Sequence, residues 1–478
     1  MDIHPDIKAF IDRIDRLKRE VTRLEQENAE LRRRLEQDSG TSSKPPSSDG
    51  LKKKPRGKKP RQSSLRGKSG KKSGGQKGHK GNNLQQVEEA DNTEHHNVCA
   101  CAHCRARLDE TNVIGSRTRQ VFDIPEPKLE VTEHIGEISK CPACGKITRA
   151  AFPEGINAPT QYGQRIKSAA IYFNVQQLIP EDRTGDIMTD LFGAPSLCPA
   201  SIANWVNKKC AQFEPVIKAI KEKLKASYTR HLDETGFRSG GKTRWLHTVS
   251  SDVLTCYFTT EKRGDIPTFL QEGKAGVVVH DHFKPTYKKF EKQQHALCNA
   301  HHLRELKALI KYDKEAWSSE MYCFLVSVNS LVRQAKKKGL QALAPPLLRC
   351  IGEFYDNIVE AGLHFHRSLP ELEKSKRGGR RKRRPGHNLA RRLRDFQEDV
   401  LRFAHDFRVP FTNNPAEQDI RMMKVRMKIS GGFRSAKGAQ IFAAVRSVIS
   451  TARKQGWNIL ATLSAKPDSL IREIKIVG

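Results

Sequence analysis

Three acidic residues stand where a two-metal phosphoryl-transfer site requires them. Asp233 lies in the strand-like run Tyr228-Thr-Arg-His-Leu-Asp-Glu-Thr, Asp281 closes the apolar run Val277-Val-Val-His-Asp, and Glu417 follows Asn413-Asn414-Pro415-Ala416 at the start of a helix. Carboxylates at the ends of neighbouring strands and on a facing helix can hold two Mg²⁺ (or Mn²⁺) ions about 3.5 to 4 Å apart, one for the attacking and one for the leaving oxygen of a phosphodiester. The formal net charge is +32 over 478 residues. So basic a chain matches a polyanion, and the phosphodiester expected here is that of DNA.

The elements that must carry these acids are legible in outline. Thr229 to Thr235, Thr243 to Ser250 and Val253 to Thr260 read as three consecutive strands, followed by a helix near Ile266 to Gln271 and a fourth strand from Gly276 to Asp281. That is the order of an RNase H-like sheet, with the first acid on the first strand and the second ending the fourth. His280 and His282 flank Asp281, and strand alternation turns them away from the face that Asp281 occupies. Taken singly, each acid has a structural alternative: Asp233 and Asp281 as strand ends, Glu417 as a capping residue after Asn414 and Pro415. Their joint placement favours the catalytic reading.

Residues 282–416 are far too many for a loop and read as a helical insertion, beginning at Gln294-His-Ala-Leu-Cys-Asn-Ala-His-His and holding a mobile basic run from Lys374 to Arg384. Within it, Cys298 and His301 offer only two metal ligands, so a structural role at a strand-helix junction is expected of them. The run Ala439 to Leu463 reads as a packed helical close to the domain.

Upstream, Ile7, Phe10, Ile14, Leu17, Val21, Leu24, Asn28, Leu31 and Leu35 recur three and four apart, the seam of a coiled coil that would pair two chains in parallel, with Asn28 setting register. The alternative is an amphipathic helix packed on its own domain. Next comes Ser42-Ser43-Lys44-Pro45-Pro46-Ser47-Ser48 and a run dense in Lys and Arg, with no acid between Leu51 and Lys80. Such a segment cannot bury enough apolar surface to offset its ordering entropy and is expected to be a disordered linker that tracks DNA backbone. Cys101-Ala-His-Cys104 and Cys141-Pro-Ala-Cys144-Gly145 then form two Cys-x-x-Cys pairs, four thiolates for one structural Zn²⁺. Cys99, His95, His96 and His103 are alternative ligands, and the alternating runs Val121 to Pro125 and Leu129 to Ile138 predict a small sheet between the pairs. From 162 to 226 the chain reads as helical. Glu181 to Leu191, Gly193 and Cys198 to Cys210 outline a possible helix-turn-helix presenting Ser201, Asn204, Lys208 and Lys209 to a DNA groove.

No apolar run approaches a membrane span or a signal peptide, so a soluble, cytoplasmic, nucleoid-associated protein is expected. The fold class expected is multi-domain α+β: an RNase H-like α/β catalytic core with an α-helical insertion, preceded by a coiled coil, a basic linker and a zinc-binding domain. The boundaries are 1–37 for the coiled coil, 38–90 for the linker, 91–150 for the zinc domain and 151–227 for the helical region. The core spans 228–302, the insertion 303–410, the Glu417 helix with its basic segment 411–440, and the C-terminal helical region 441–478.

The ordered set of the zipper-like start, Ser-Ser-Lys-Pro-Pro-Ser-Ser-Asp, two zinc pairs, His231-Leu-Asp-Glu-Thr235, Cys298-x-x-His301, Thr412-Asn-Asn-Pro-Ala-Glu417 and Gly432-Phe-Arg-Ser435 resembles the bacterial DDE transposase of insertion-sequence family sixty-six. The resemblance covers nearly the whole chain. It implies that Asp233, Asp281 and Glu417 are the catalytic acids and metal ligands, and that small accessory proteins of the element assist. One departure is Asp281-His282-Phe283, where many relatives have Asp-Gly. The implied chemistry is cleavage at the ends of the element to free a 3′-OH, which then attacks target DNA, and Lys424, Arg426, Lys428 and Arg434 are candidates for holding phosphates. A structure-selective nuclease or resolvase on the same fold, or a non-catalytic DNA-binding protein, are the alternative readings.

Overall fold

The computed structural model describes residues 84–475 apart from 196, 273–275 and 373–380, together with positions 28, 31, 41 and 78. The expected coiled-coil segment apart from positions 28 and 31, nearly all of the linker and most of the Lys374 to Arg384 run therefore lie outside the described residues. From 84 to 137 the described chain carries a 3₁₀ turn at Glu110–Asn112 and an isolated bridge between Ala100 and Arg107. A two-stranded hairpin follows, β1 (Ile138–Lys140) against β2 (Ile147–Arg149). The sheet expected from Val121 to Pro125 and Leu129 to Ile138 does not form. Val121, Ile124, Val131 and Ile135 are each more than four-fifths exposed, so alternation had no core to face.

Four helices lead into the main sheet: α1 (Gln164–Ile171), continued as a π-turn to Gln176, α2 (Glu181–Phe192), α3 (Pro199–Gln212) and α4 (Glu214–Ala226). Gly193 ends α2 in the left-handed region at φ 61°, a conformation that favours glycine. The turn then delivers α3 against α2 so closely that a Cβ on Gly185 would lie 2.9 Å from the Leu197 carbonyl oxygen.

The sheet has five strands in the order β5-β4-β3-β6-β7: β3 (Thr229–Ser239), β4 (Lys242–Ser250), β5 (Thr255–Thr260), β6 (Val277–His280) and β7 (Gln294–Leu297). The first three are an antiparallel meander. Gly240 and Gly241, both at positive φ, make the two-residue turn between β3 and β4. Strands β6 and β7 run parallel to β3. The continuous Val277-Val278-Val279 run is buried throughout, as a parallel strand covered on both faces demands. The expected helix at Ile266 to Gln271 is only a 3₁₀ turn, Phe269–Glu272. The segment read as the start of the insertion, Gln294 to Leu297, is instead β7; at four residues it is too short for its alternation to register in sequence.

Beyond β7, helices α6 (Asn299–Ala308), α7 (Ala316–Lys337), α8 (Pro345–Ser368), α9 (Pro385–Asp395) and α10 (Gln397–His405) build a core of their own around Leu306, Met321, Leu325, Tyr355 and Leu393, while the short α5 (Lys284–Lys289) links β6 to β7. The chain returns to the sheet as α11 (Asn414–Ser430) and α12 (Ala436–Gln455), then closes with α13 (Ile459–Ser464) and α14 (Pro467–Glu473). Helix α12 covers the sheet edge. Ser447 Oγ accepts the Tyr257 N–H at 2.9 Å, and Thr451 Oγ1 both accepts from Thr255 N and donates to Thr255 O at 3.1 Å, so the outer backbone of β5 is satisfied by helix hydroxyls.

Candidate active site

Strand β3 is the centre of the sheet, and its register sets the first two acids. His231 pairs with Val279 in the parallel ladder. Two residues further on come Asp233, within β3, and Asp281, the first residue past β6, which a continuation of this register would set abreast and on one side of the sheet. Asp233 Oδ1 accepts the Glu234 N–H at 2.9 Å, and Asp281 Oδ1 accepts the Phe283 N–H at 3.1 Å.

Glu417 arrives on the first turn of α11. Asn413 is the N-cap residue, yet its side chain makes no bond to its own helix. Its Nδ2 donates to Leu232 O at 2.7 Å and its Oδ1 meets His231 Nδ1 at 2.8 Å, so the helix start is moored to β3 next to Asp233. The Glu417 carboxylate does not cap either. Oε1 lies 3.8 Å from Cys298 Sγ and 3.9 Å from His301 Nδ1, and Oε2 lies 3.5 Å from Arg304. Cys298, His301 and Glu417 are the one trio of metal-capable side chains within 4.8 Å of one another among the described residues. A cavity of about 230 Å³ opens beside them, lined by Asp281, His282, Cys298, His301, Glu305 and Arg392.

The charges of the other two acids reach Asp233. Burial raises the Asp233 carboxyl well above its ordinary value, and the negative charges of Glu234, Asp281 and Glu417 raise it further. Glu234 is pushed up to about 7 by burial and by Asp281, against the pull of Arg263, whose guanidinium pairs with it at 2.5 Å. Lys424 sits half-buried on α11, donates to Gly236 O at 3.4 Å and carries its charge near Asp233. Hard carboxylate oxygens crowded with too little fixed positive charge are a donor set that fits Mg²⁺ or Mn²⁺.

Of the flanking histidines, His280 turns away from this set, whereas His282 lines the cavity together with Asp281. His280 is buried, bonds His295 across 3.0 Å and is held near 3 by burial and by that neighbour. His282 packs edge-on to Phe396 and is held near 4, chiefly by burial. Burial, and then the Glu417 charge, push the Cys298 thiol up to about 12.

The four basic candidates divide. Lys428 and Arg434 are exposed. Arg426 is buried, with its guanidinium over the rings of Phe433 and Phe442, and so is a packing residue here. On α3, Asn204 and Lys208 face solvent and Ser201 is half-buried, whereas Lys209 is buried with its ammonium over Phe213. Sequence reading missed Arg263, Arg304 and Asn413. The first two are isolated cations without a pattern, and Asn413, in the run before Glu417, carries only the signal of a helix start.

At the cysteine pairs, two like knuckles are built. Cys101 accepts from Arg105 N and donates to Ala106 O, both at 2.9 Å; Cys141 accepts from Gly145 N at 2.9 Å and donates to Lys146 O at 2.8 Å. Arg105 and Gly145 both take the left-handed conformation. Backbone N–H groups of Cys104 and His103 lower the Cys101 thiol, and those of Cys144 and Ala143 lower Cys141, which favours thiolate. The two knuckles do not converge: no three of these thiols come within 4.8 Å of one another.

A mixed sheet with acids at its strands, basic helices and paired cysteine knuckles fit a DNA-modifying enzyme. Residues 159–441 match the Transposase IS66 family, more than half of the chain, which therefore belongs to that family. Residues 99–145, enclosing both knuckles, match the zinc-finger binding domain of transposase IS66, and residues 3–85 match a family of unknown function. A search of curated proteins found no match. Among the described residues, no helix is long and apolar enough to cross a membrane.

Proposed function

We propose that this transposase cuts the ends of its element and joins the freed 3′-OH to target DNA at the Asp233, Asp281 and Glu417 site, on an RNase H-like core. The observation that carries the reading is the shared electrostatics of acids far apart in sequence, on β3, after β6 and on α11. The strand order β5-β4-β3-β6-β7, with a parallel pair joined to an antiparallel meander, supports the fold assignment. Bound Mg²⁺ or Mn²⁺ would activate the attacking oxygen and stabilise the leaving one.

The chain's own residues do the rest. Asp233, Asp281 and Glu417 supply hard oxygen ligands held by separate rigid elements, so their spacing is preorganised. Arg304, 3.5 Å from Glu417, Arg263, stacked 4.2 Å from the Phe283 ring centre and lining the cavity, and Lys424 are cations beside the acids. They orient phosphate oxygens, while Lys428 and Arg434 extend the backbone contact outward. The Cys101, Cys104, Cys141 and Cys144 thiolates would hold one Zn²⁺ once the two knuckles are drawn together, and residues 1–37 pair two chains so that two DNA ends are held together.

A strand-transfer assay on supercoiled DNA with cognate ends tests the proposal. Asp233→Asn, Asp281→Asn and Glu417→Gln each abolish cleavage and joining but leave end binding, because phosphate-contacting Lys and Arg remain. Cleavage of branched DNA without joining by the unaltered protein would favour a resolvase instead.

A further inference from the structure

Cys298 is the motif residue that the carboxylate site does not account for. It stands at the junction of β7 and α6, 1% exposed. Its backbone N–H donates to the carbonyl of His280, the residue before Asp281, at 2.9 Å. Its sulfur accepts the Asn413 N–H at 3.2 Å and, as a protonated thiol, faces Glu417 Oε1 at 3.8 Å. Asn413, 2% exposed, spends its amide on Leu232, the residue before Asp233, and on His231. The immediate chain neighbours of Asp233 and Asp281, and the carboxylate of Glu417 itself, thus meet on Cys298, through its backbone N–H and its thiol, and on the Asn413 side-chain amide.

We propose that Cys298 and Asn413 are positioning residues that lock the three carboxylates at the spacing two cations require, without themselves touching DNA or metal. The inference rests on the reading of Asp233, Asp281 and Glu417 as the cation site. Sulfur suits the post: its larger radius lets one atom serve Asn413 and Glu417 at distances where a hydroxyl would fall short. Losing either residue frees α11 to drift from β3, and the effect falls on metal affinity before it falls on DNA binding.

The test compares the full chain with Cys298→Ala, Cys298→Ser, Asn413→Ala and Glu417→Gln. Mn²⁺ binding is measured calorimetrically with Mn²⁺ alone, alongside end binding by gel shift, zinc content, and cleavage as a function of Mn²⁺. Cys298→Ala and Asn413→Ala should weaken Mn²⁺ binding on the order of 10- to 100-fold, the usual consequence of removing a group that orients metal ligands. End binding should be unchanged, cleavage should recover at saturating Mn²⁺, and Cys298→Ser should restore part of the affinity. If Cys298→Ala does not fold, Cys298→Ser and Asn413→Ala decide the matter through the same shift in Mn²⁺ affinity.

Wild-type Mn²⁺ affinity in the folded Cys298 and Asn413 variants, with Glu417→Gln impaired, overturns the positioning role and leaves the cation site standing. Loss of a bound zinc ion on Cys298→Ala, beyond the zinc held by the knuckles, also overturns it, by making Cys298 a ligand. Wild-type Mn²⁺ binding by Glu417→Gln would instead remove the cation site on which the inference rests.

Discussion

Asp419 and Lys454 form an ion pair at 2.7 Å between α11 and α12, two residues past Glu417 and beneath the covered edge of the sheet. Thr255 Oγ1 donates to the same carboxylate oxygen at 3.0 Å, and Lys454 also donates to the Ser251 and Leu254 carbonyls. Helix, helix and edge strand are therefore pinned at one point close to the third acid. Burial lowers the Lys454 ammonium, while Asp419 works against that shift.

Asp419→Ala leaves Lys454 half-buried without its anion. The pair keeps some solvent contact, so the expected loss is about 1 to 3 kcal/mol, less than for a fully buried pair. Denaturant unfolding should register it, with cleavage falling as α11 loosens. Unchanged stability would mean that the Ser251 and Leu254 carbonyls suffice alone for Lys454.

Asp233 is held among negative charges that oppose its ionisation. Asp233→Asn should accordingly stabilise the metal-free protein by about 1 to 2 kcal/mol even as it removes cleavage, the familiar exchange of stability for function. Thermal melting in the presence of chelator is the measurement. A lower melting temperature than the parent protein would show that the carboxylate is not strained by its neighbours.

Cys101→Ser or Cys144→Ser should each lose one zinc per chain and weaken recognition of the element's ends, while the sheet and its helices stay folded. Elemental analysis of freshly purified, reduced protein checks this. An unaltered protein without zinc sinks the assignment.

His247 is buried on β4, bonded to Thr260 Oγ1 at 2.9 Å and held near 4 mainly by burial. Below the unfolded value of about 6.5, the unfolded chain takes up a proton that the folded chain refuses, so this contribution is intact above pH 6.5 and lost on acidification toward pH 4. Its share at pH 5 is about 2 kcal/mol, and buried His302, lowered well below its ordinary value, acts in the same direction. His247→Gln should flatten the stability profile between pH 7 and 5 in chemical denaturation. An identical slope in the variant would place the acid sensitivity elsewhere.

Much of the site was legible because its signals are local. Asp233 within an alternating run, Asp281 after three valines and Glu417 one turn into a Pro-started helix are each marked by their immediate neighbours. The strand at Gln294 to Leu297 and the failed sheet near Val121 were not, since a four-residue strand has no readable period and alternation is realised only where a core receives it. Capping preference likewise pointed Glu417, after Asn414 and Pro415, at its own helix, whereas its side chain, like that of the actual N-cap residue Asn413, is spent across the fold.

Sequence alone determined where the candidate acids and the cysteine pairs stand along the chain, the basic charge and the order of the sheet's first four strands, because these depend on residue type and on spacing along the chain. Tertiary structure decided what meets what. It buried Arg426 between two phenylalanines, brought Arg263 to Glu234, and gathered the neighbours of three distant acids on Cys298 and Asn413. Contacts between residues more than a hundred positions apart follow from packing and register, which no local pattern encodes.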